Sequence, residues 1–562
     1  MVAVLRILLA QVLAVSLIGG LIAIIAHYFV TGIRFFEIFR GQESNLLDLF
    51  GFQVNLWTAG LLLIAYLLVL AIRHFGQMPK WESPADIIYC AQNRKQEMTP
   101  KKGLLTIIAS FISLSGGASL GQYGPLVHLG GSIGIATAKW YQRFNLSRDV
   151  VIGCGVAAAI AAGFNAPIAA IIFAHEAVLR HFSARAVALI SISSVSASAL
   201  SRLLFSPLDI FVLPAEINVS PEMVAISLLA GVGFGISAIF IIKILFLVNK
   251  FAGHSQRSFR FLAFLGLIYL LVLSQALPEA LGLGMGIIND LVSNVETTQM
   301  LLILLIAKLS AVILSATIGF SGGFVGPALV IGAVLGALLA HLAMAFGMMS
   351  LTMLLVVSGA AAVAGTVFGA PLAMVMLVLE LTHSYDLSLA AMLSIIVSSL
   401  IFHLFYGHSL FDLQLMARGI NLAKGRIFLE LETMKMVELV EDNYLSFQSN
   451  VRADIILARM REAQQTEAYC IDEKGIFLGK ISIFKVVTYD NKTASQLADL
   501  DCLKLFADQS INEAMEVAID FVGEGLPVLD KNRKKLVGVV SESHLFDAYN
   551  SVTRQVREIE TA

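Results

Sequence analysis

The sequence predicts an all-α polytopic membrane protein with two repeated halves and interrupted helices, followed by a small C-terminal α/β module. Three observations carry this expectation. The 562 residues are 57% apolar and only 14% charged, with a mean hydropathy of +0.82. A set of Gly/Pro landmarks occurs twice, in the same order, within the apolar part. Near residue 420 the chain turns from apolar to charged and mixed in pattern. A soluble domain does not carry so much apolar surface into water.

Taken in order, the apolar runs Leu8–Ile25, Leu56–Ile72, Met223–Leu247, Phe259–Leu277 and Met300–Ile318 are each about as long as a bilayer core requires, roughly 20 residues at helical rise. The first lies behind a single Arg6 and is longer than a signal-peptide core, so it reads as a retained membrane helix. A formal charge of −2 argues against a nucleic-acid partner, and the local basic cluster Arg94–Lys95 with Lys101–Lys102 suggests a cytoplasmic loop. Cys90, Cys154, Cys470 and Cys502 lie far apart without CxxC pairs or clustered histidines, which points to reduced structural thiols and no metal site.

The duplicated landmarks begin with Gly124-Pro-Leu-Val-His-Leu-Gly-Gly-Ser-Ile-Gly134 and Gly326-Pro-Ala-Leu-Val-Ile-Gly-Ala-Val-Leu-Gly336. Phe164-Asn-Ala-Pro167 then pairs with Phe368-Gly-Ala-Pro371, and a lone acid follows nine residues after each proline, at Glu176 and Glu380. The two prolines of each half are separated by 42 and 44 residues. Duplicated halves are a recurrent transporter plan, with broken helices from both halves aiming their ends at a midplane substrate. The expected division is residues 1–423 for the membrane domain, its halves near 1–210 and 211–423, and 424–562 for the tail.

Proline suits the first turn of a helix, where its missing N–H has no acceptor to lose, and glycine allows close backbone approach. Gly121-Gln-Tyr-Gly-Pro125 and Gly322-Gly-Phe-Val-Gly-Pro327 therefore read as two exposed helix N-termini. Together they are able to hold an anion without Lys or Arg. Partial charges also make a site weak enough to release its ion, as transport demands. Ionisable residues at membrane depth are functional suspects, here His128, His175, Glu176, Lys308 and Glu380. Capping or pairing at a helix end is the simpler reading for the two glutamates.

In the tail, Asn450–Ser482 overlays Gln509–Ser541 without gaps at an offset of 59 residues. Each copy reads as an amphipathic helix (Val451–Ala463; Ile511–Phe521), a strand, a polar turn (Asp472–Gly475; Asp530–Lys535) and a second strand. The pair resembles tandem CBS domains, which implies an adenine-nucleotide site in many members. Where nucleotide-binding members carry a ribose-holding Asp, this chain has Lys485 and His544. The tail is therefore expected to be a structural or dimerising module without a bound nucleotide.

From roughly Val15 to Ala423 the chain resembles the CLC family of chloride channels and chloride/proton exchangers. The residues that carry the resemblance are Gly121-Gln-Tyr-Gly-Pro125 (for the family's Gly-Arg/Lys-Glu-Gly-Pro), Phe164-Asn-Ala-Pro167, Gly323-Phe-Val-Gly-Pro327 and Ser409-Leu-Phe-Asp-Leu-Gln-Leu415. It implies an anion pathway through Gly121, Gln122, Tyr123, Gly124, Gly323, Phe324, Val325, Gly326 and Phe411. It also implies a homodimer with one pathway per subunit in a membrane, read here as the bacterial inner membrane, with the tail cytoplasmic.

The departures from the family pattern are equally informative. Its gating glutamate falls on Tyr123, its inner proton glutamate on Ala177, and its pore tyrosine on Phe411. Lys80-Trp-Glu-Ser-Pro84 stands where Gly-Ser-Gly-Ile-Pro is usual, placing Trp81 at the anion-contacting serine unless the register shifts to Ser83. A phenol with an ordinary pKa near 10 stays neutral at physiological pH, so it neither plugs the site as an anion nor cycles a proton readily. Expected is proton-uncoupled movement of chloride, bicarbonate or nitrate, as a channel or an anion/anion exchanger. The alternatives are a chloride/proton antiporter using a substitute route through His175, whose imidazole titrates near neutrality, with Glu176 beside it, or a transport-dead sensor signalling through the tail. Nothing in the sequence suggests an enzyme: it shows no nucleophile with a base, no metal cluster and no phosphate loop.

Overall fold

The computed structural model describes residues 2–41, 46–49, 52–205, 220–252, 256–293, 296–348, 351–530 and 534–561. The chain divides into two compact units, residues 1–420 and 421–561. The divide expected between the repeated halves, at 210/211, lies outside the described residues, as do residues 531–533 of the second tail turn.

The first unit is helical. Its first half contains α1 (Val2–Arg40), α2 (Leu56–Phe75), α3 (Pro84–Gln92), α4 (Pro100–Ser115), α5 (Tyr123–Tyr141), α6 (Arg148–Phe164), α7 (Pro167–Phe173) and α8 (Ala184–Leu204). The chain continues through α9 (Pro221–Ala252), α10 (Gln256–Ala276), α11 (Met285–Ser293), α12 (Thr298–Ile318), α13 (Val325–Ala345), α14 (Thr352–Phe368), α15 (Pro371–Thr382), α16 (Tyr385–Phe405) and α17 (Leu410–Met416). A short hairpin, β1 (Leu46–Leu49) with β2 (Phe52–Asn55), joins α1 to α2. Among the described residues, seven helices are long and apolar enough to cross a membrane. They are punctuated by local chemistry: Thr297 accepts from the Met300 N–H at the start of α12, and Gly319 at φ +109° ends it.

The repeat is visible in packing. The pairs α5/α6 and α13/α14 each meet through a glycine on either side. A Cβ on Gly130 would lie 2.1 Å from the Gly155 carbonyl oxygen, and one on Gly332 would lie 2.2 Å from that of Gly359. Small residues at these crossings let the backbones touch, which is how apolar helices pack without a hydrophobic driving force between them.

The second duplicated motif also has a local cause. Phe164 and Phe368 are the last residues of α6 and α14, Asn165 and Gly369 take the left-handed conformation that ends each helix, and Pro167 and Pro371 open α7 and α15. The acids that follow reach across to the other half. Both oxygens of Glu176 accept from the α15 first turn (Leu372 N–H 3.1 Å, Ala373 N–H 2.9 Å), and both oxygens of Glu380 accept from the α7 first turn (Ile168 and Ala169 N–H, 2.8 Å each). The capping expected of these glutamates is present, and it is reciprocal.

The second unit holds two similar α/β modules. In one, β3 (Ser446–Gln448) runs parallel to β4 (Glu467–Ile471), which pairs antiparallel with β5 (Phe477–Ser482). In the other, β6 (Leu505–Phe506), β7 (Leu526–Leu529) and β8 (Leu536–Val540) repeat that order. The leading strands β3 and β6 lie outside the aligned repeat and escape periodicity because they are two or three residues long. The repeat helices are Ala453–Glu462 and Ile511–Ala518, slightly shorter than the amphipathic pattern suggests. Each module has its own core, around Ile456, Met460 and Ile481 in one and Ile511, Leu526 and Val540 in the other. The fold class is the expected one: a helical membrane unit with interrupted, duplicated helices, and an α/β tail of two repeated modules.

Candidate functional site

The two Gly/Pro junctions meet. The Gly121 N–H donates to the Gly323 carbonyl at 2.7 Å, and the Gly323 N–H donates back to the Gly121 carbonyl at 2.8 Å, a two-bond antiparallel bridge between the loops that precede α5 and α13. Glycine is required on both sides. A Cβ on Gly121 would stand 2.6 Å from the Gly326 nitrogen, and one on Gly323 would stand 2.6 Å from the Gly124 nitrogen.

The helices begin two residues before their prolines, at Tyr123 and Val325, with Gln122 and Phe324 as N-caps. The first intrahelical bonds are Leu126 N–H to Gln122 carbonyl (3.0 Å) and Ala328 N–H to Phe324 carbonyl (2.9 Å). In each helix two N–H groups therefore precede the hydrogen-bond ladder, those of Tyr123 and Gly124 and those of Val325 and Gly326. The macrodipole adds partial positive charge there.

Beside this junction lies a cavity of about 110 Å³. Of the residues anticipated from the sequence, Trp81, Gly124, Gly323, Phe324, Val325 and Phe411 line it; Gly121, Gln122, Tyr123 and Gly326 are not part of the lining. Trp81 uses its indole N–H elsewhere, donating to the Gly319 carbonyl at the end of α12 (2.8 Å). Ser83, the other register considered, also lines the cavity, and its backbone N–H and hydroxyl both donate to Asp86 (2.7 and 3.1 Å), which Arg418 holds from the other side.

Tyr123 is buried at 4% exposure and stacks on Phe164, with ring centroids 3.5 Å apart and planes 15° from parallel. Its hydroxyl has no hydrogen-bond partner among the described residues. Phe368, the second-half counterpart of Phe164, instead packs at a tilt against Phe411 (5.3 Å), and both rings face the cavity.

His175 and Glu176 are not in the cavity lining. The His175 Nδ1 lies 2.8 Å from the His181 carbonyl and must donate to it, while the ring stacks on Phe182 in the π-helical turn Ala174–Leu179 that extends α7. Lys308 is fully buried and donates to the Gly282 carbonyl at 3.0 Å. His128 does line the cavity, near Glu82.

These features match a known family along most of the membrane unit. Residues 64–403 match the family model described as voltage gated chloride channel. The chain belongs to that family. Curated relatives include the H(+)/Cl(-) exchange transporter ClcA of Vibrio campbellii, 24% identical over 51% of this chain and 64% of the relative. A second is chloride channel protein CLC-d of Arabidopsis thaliana, 40% identical over 13% of this chain and 11% of its own length. The matched stretch thus spans less than two thirds of the Vibrio relative. Among solved structures, a slow cyanobacterial Cl-/H+ antiporter superposes with a TM-score of 0.64 at 19% identity, covering 73% of this chain and 97% of that one. A eukaryotic CLC transporter superposes at 0.60 and 16% identity, covering 96% of this chain and 98% of that one. At these identities the likeness is one of fold.

Within this family frame, sequence reasoning passed over several cavity residues: Glu82, Thr106, Ser110, Ser321 and Gln414. The hydroxyls form a linked set. The Ser110 Oγ donates to the Thr106 carbonyl (2.8 Å) and meets the Ser321 Oγ at 2.8 Å. Thr106, Ser110 and Ser113 recur at helical spacing within the apolar stretch Leu104–Leu114 of α4, a signal that was available. Ser321 carried none, because only the tertiary fold brings it to α4.

In the tail, the two positions that lack a ribose-binding Asp are internally engaged. The Lys485 Nζ sits 3.7 Å from Asp499, and His544 contacts Glu441 (2.9 Å) and the Ser541 Oγ (2.6 Å).

Proposed function

We propose that this protein carries a small monovalent anion, chloride with bicarbonate or nitrate as further candidates, across a membrane without stoichiometric proton coupling, as a channel or an anion/anion exchanger. The observation that supports this reading best is the bridged pair of helix starts at Gly121 and Gly323 beside the cavity. Gly124, Gly323, Phe324 and Val325 bring backbone, not fixed positive charge, to the cavity. Amide donors at helix ends bind an anion weakly enough for it to leave. A liquid water takes up about 30 Å³, so the cavity has room for a partly hydrated small anion.

The proton side rests on Tyr123 and Ala177. A buried phenol packed on Phe164 is a neutral aromatic wall at the position where the family keeps an ionisable carboxylate. Ala177 has no titratable atom. The protein works as a homodimer in the bacterial inner membrane, with the CBS-like tail cytoplasmic, free of nucleotide and serving as a structural or dimerising module.

Chloride/proton antiport by a substitute route is the second reading, favoured by the similarity to the Vibrio H(+)/Cl(-) exchange transporter. The residues the sequence offers for it, His175 and Glu176, are committed to the His181 carbonyl and to the α15 first turn.

The test is chloride efflux from liposomes holding the purified full chain, with pH recorded. Efflux with a potential shunt alone identifies a channel, and efflux that requires external bicarbonate or nitrate identifies an exchanger. Stoichiometric proton movement would overturn the uncoupled reading. Tyr123→Glu is expected to change the pH profile of the flux from that of the wild type.

A further inference from the structure

We propose that Glu82 and His128 form a proton-binding site inside the anion cavity, so that anion occupancy is linked to proton uptake. The inference rests on the anion reading of the same cavity and extends it to regulation of affinity.

The observation is a pair of ionisable groups where an anion site ought to be free of negative charge. The His128 Nε2 lies 3.4 Å from the Glu82 Oε2, with side chains 2% and 16% exposed, and both residues line the cavity. Neither ring nitrogen of His128, nor the Glu82 Oε2, has a hydrogen-bond partner of good geometry among the described residues. Buried polar atoms left in that state are costly, and they mark groups waiting for a proton or a ligand. The Glu82 backbone is tied down, its N–H donating to the Thr106 Oγ1 at 3.4 Å, while among the described residues the two side chains have only each other.

The surrounding ionisable groups are otherwise engaged or remote. On α3, Asp86 is held by Arg418 and by Ser83; Cys90 lies one turn further on. Arg73 at the end of α2 donates to the Pro79 carbonyl, and Lys80 is exposed. α4 brings the hydroxyls of Thr106 and Ser110 to the cavity, with Lys101 and Lys102 exposed at its far end. On α5, Lys139 pairs with Glu97 at the surface. Asp412 on α17 is held by Arg180. The loop before α13 carries no charge. The net charge inside the cavity is therefore set by the Glu82–His128 pair.

With no proton on the pair, Glu82 is an uncompensated carboxylate that repels an entering anion. With one proton, whether it sits on the imidazole or on the carboxylate, the pair is neutral overall. Like charges a few ångströms apart at low dielectric disfavour each other by several kcal/mol. Anion and proton thus favour each other's binding, and by linkage the effect is reciprocal. This needs no proton path through the protein: the proton is taken up and returned on the cavity side.

The experiment uses chloride as the probe and the detergent-solubilised full chain, with binding followed by isothermal titration calorimetry at pH 5.5 and 8. Wild type should bind chloride about tenfold more tightly at the lower pH, an ordinary size for coupling between two linked sites. In weakly buffered solution, chloride addition should draw protons from the medium, a readout that needs no variant. Glu82→Gln combined with His128→Gln should bind chloride with little pH dependence, and His128→Gln alone should weaken binding at pH 5.5. Binding by wild type that is independent of pH, without proton uptake, would overturn the proposal and leave the anion site standing. No chloride binding at either pH would instead overturn the anion-site reading on which the proposal depends.

Discussion

The starts of α5 and α13 descend from one plan and differ in one respect. Both begin two residues before a proline, both leave two N–H groups ahead of the helical ladder, and each donates one bond to the Gly121–Gly323 bridge. The α13 start faces the cavity through Phe324 and Val325, and the α5 start faces it through Gly124 while the Tyr123 ring is turned onto Phe164. Their helix-end phenylalanines diverge in the same way, Phe164 stacked flat on a phenol and Phe368 tilted towards Phe411 at the cavity wall. Duplication supplies a symmetric frame of helix ends, and the aromatic packing around that frame differs between the halves.

The largest effect that would sharpen this comparison is on the two phenylalanines. Phe164→Ala empties a fully buried, stacked position and should cost about 3–5 kcal/mol. Phe368→Ala, beside an existing cavity, should cost clearly less. Thermal unfolding in detergent checks both, and equal losses would break the proposed asymmetry.

Next in size is the bridge. Gly323→Ala drives a Cβ against the Gly124 backbone, which has no flexible end to yield, and overpacking of this kind costs about 1–3 kcal/mol. Gly286→Ala, with nothing within 4 Å of the new atom, should leave the melting temperature unchanged or raise it. A Gly323→Ala protein as stable as wild type would show that the two loops are not in contact.

The reciprocal caps test the symmetric part of the frame. Glu176→Gln and Glu380→Gln each weaken two charge-assisted bonds to a first turn of the other half, and each should lose about 1–2 kcal/mol. Near-equal losses support equivalence of the halves; a strong imbalance would give one glutamate a role beyond capping. The smallest effect belongs to Tyr123→Phe. It removes a hydroxyl without a partner among the described residues, keeps the stack, and should change stability by less than about 0.5 kcal/mol. A larger loss, read from the same melting curves, would mean that the hydroxyl is bonded.

Much of this frame was legible in the sequence because its signals are local. Pro125 and Pro327 mark first turns, and the acids at Glu176 and Glu380 mark caps. That each acid caps the opposite half was not legible, since nothing local to Glu176 encodes its distance from Leu372. The cavity divided along the same line. Phe324, Val325 and Phe411 follow from motifs, while Glu82, Thr106 and Ser321 arrive from three separate segments through tertiary packing. Trp81 lines the cavity, yet its indole N–H is spent on Gly319, a partner 238 residues away. In the tail, the helices and later strands follow from periodicity, whereas β3 and β6 are too short to show one.

The central claim is that the bridged helix starts of the two halves make one anion site. Its most direct test is a crystal structure of the full chain grown with bromide, read from bromine anomalous scattering. The account predicts a bromide in the cavity, against the backbone of Gly124, Phe324 and Val325. Anomalous density elsewhere along the membrane unit, with none at that junction, would contradict it.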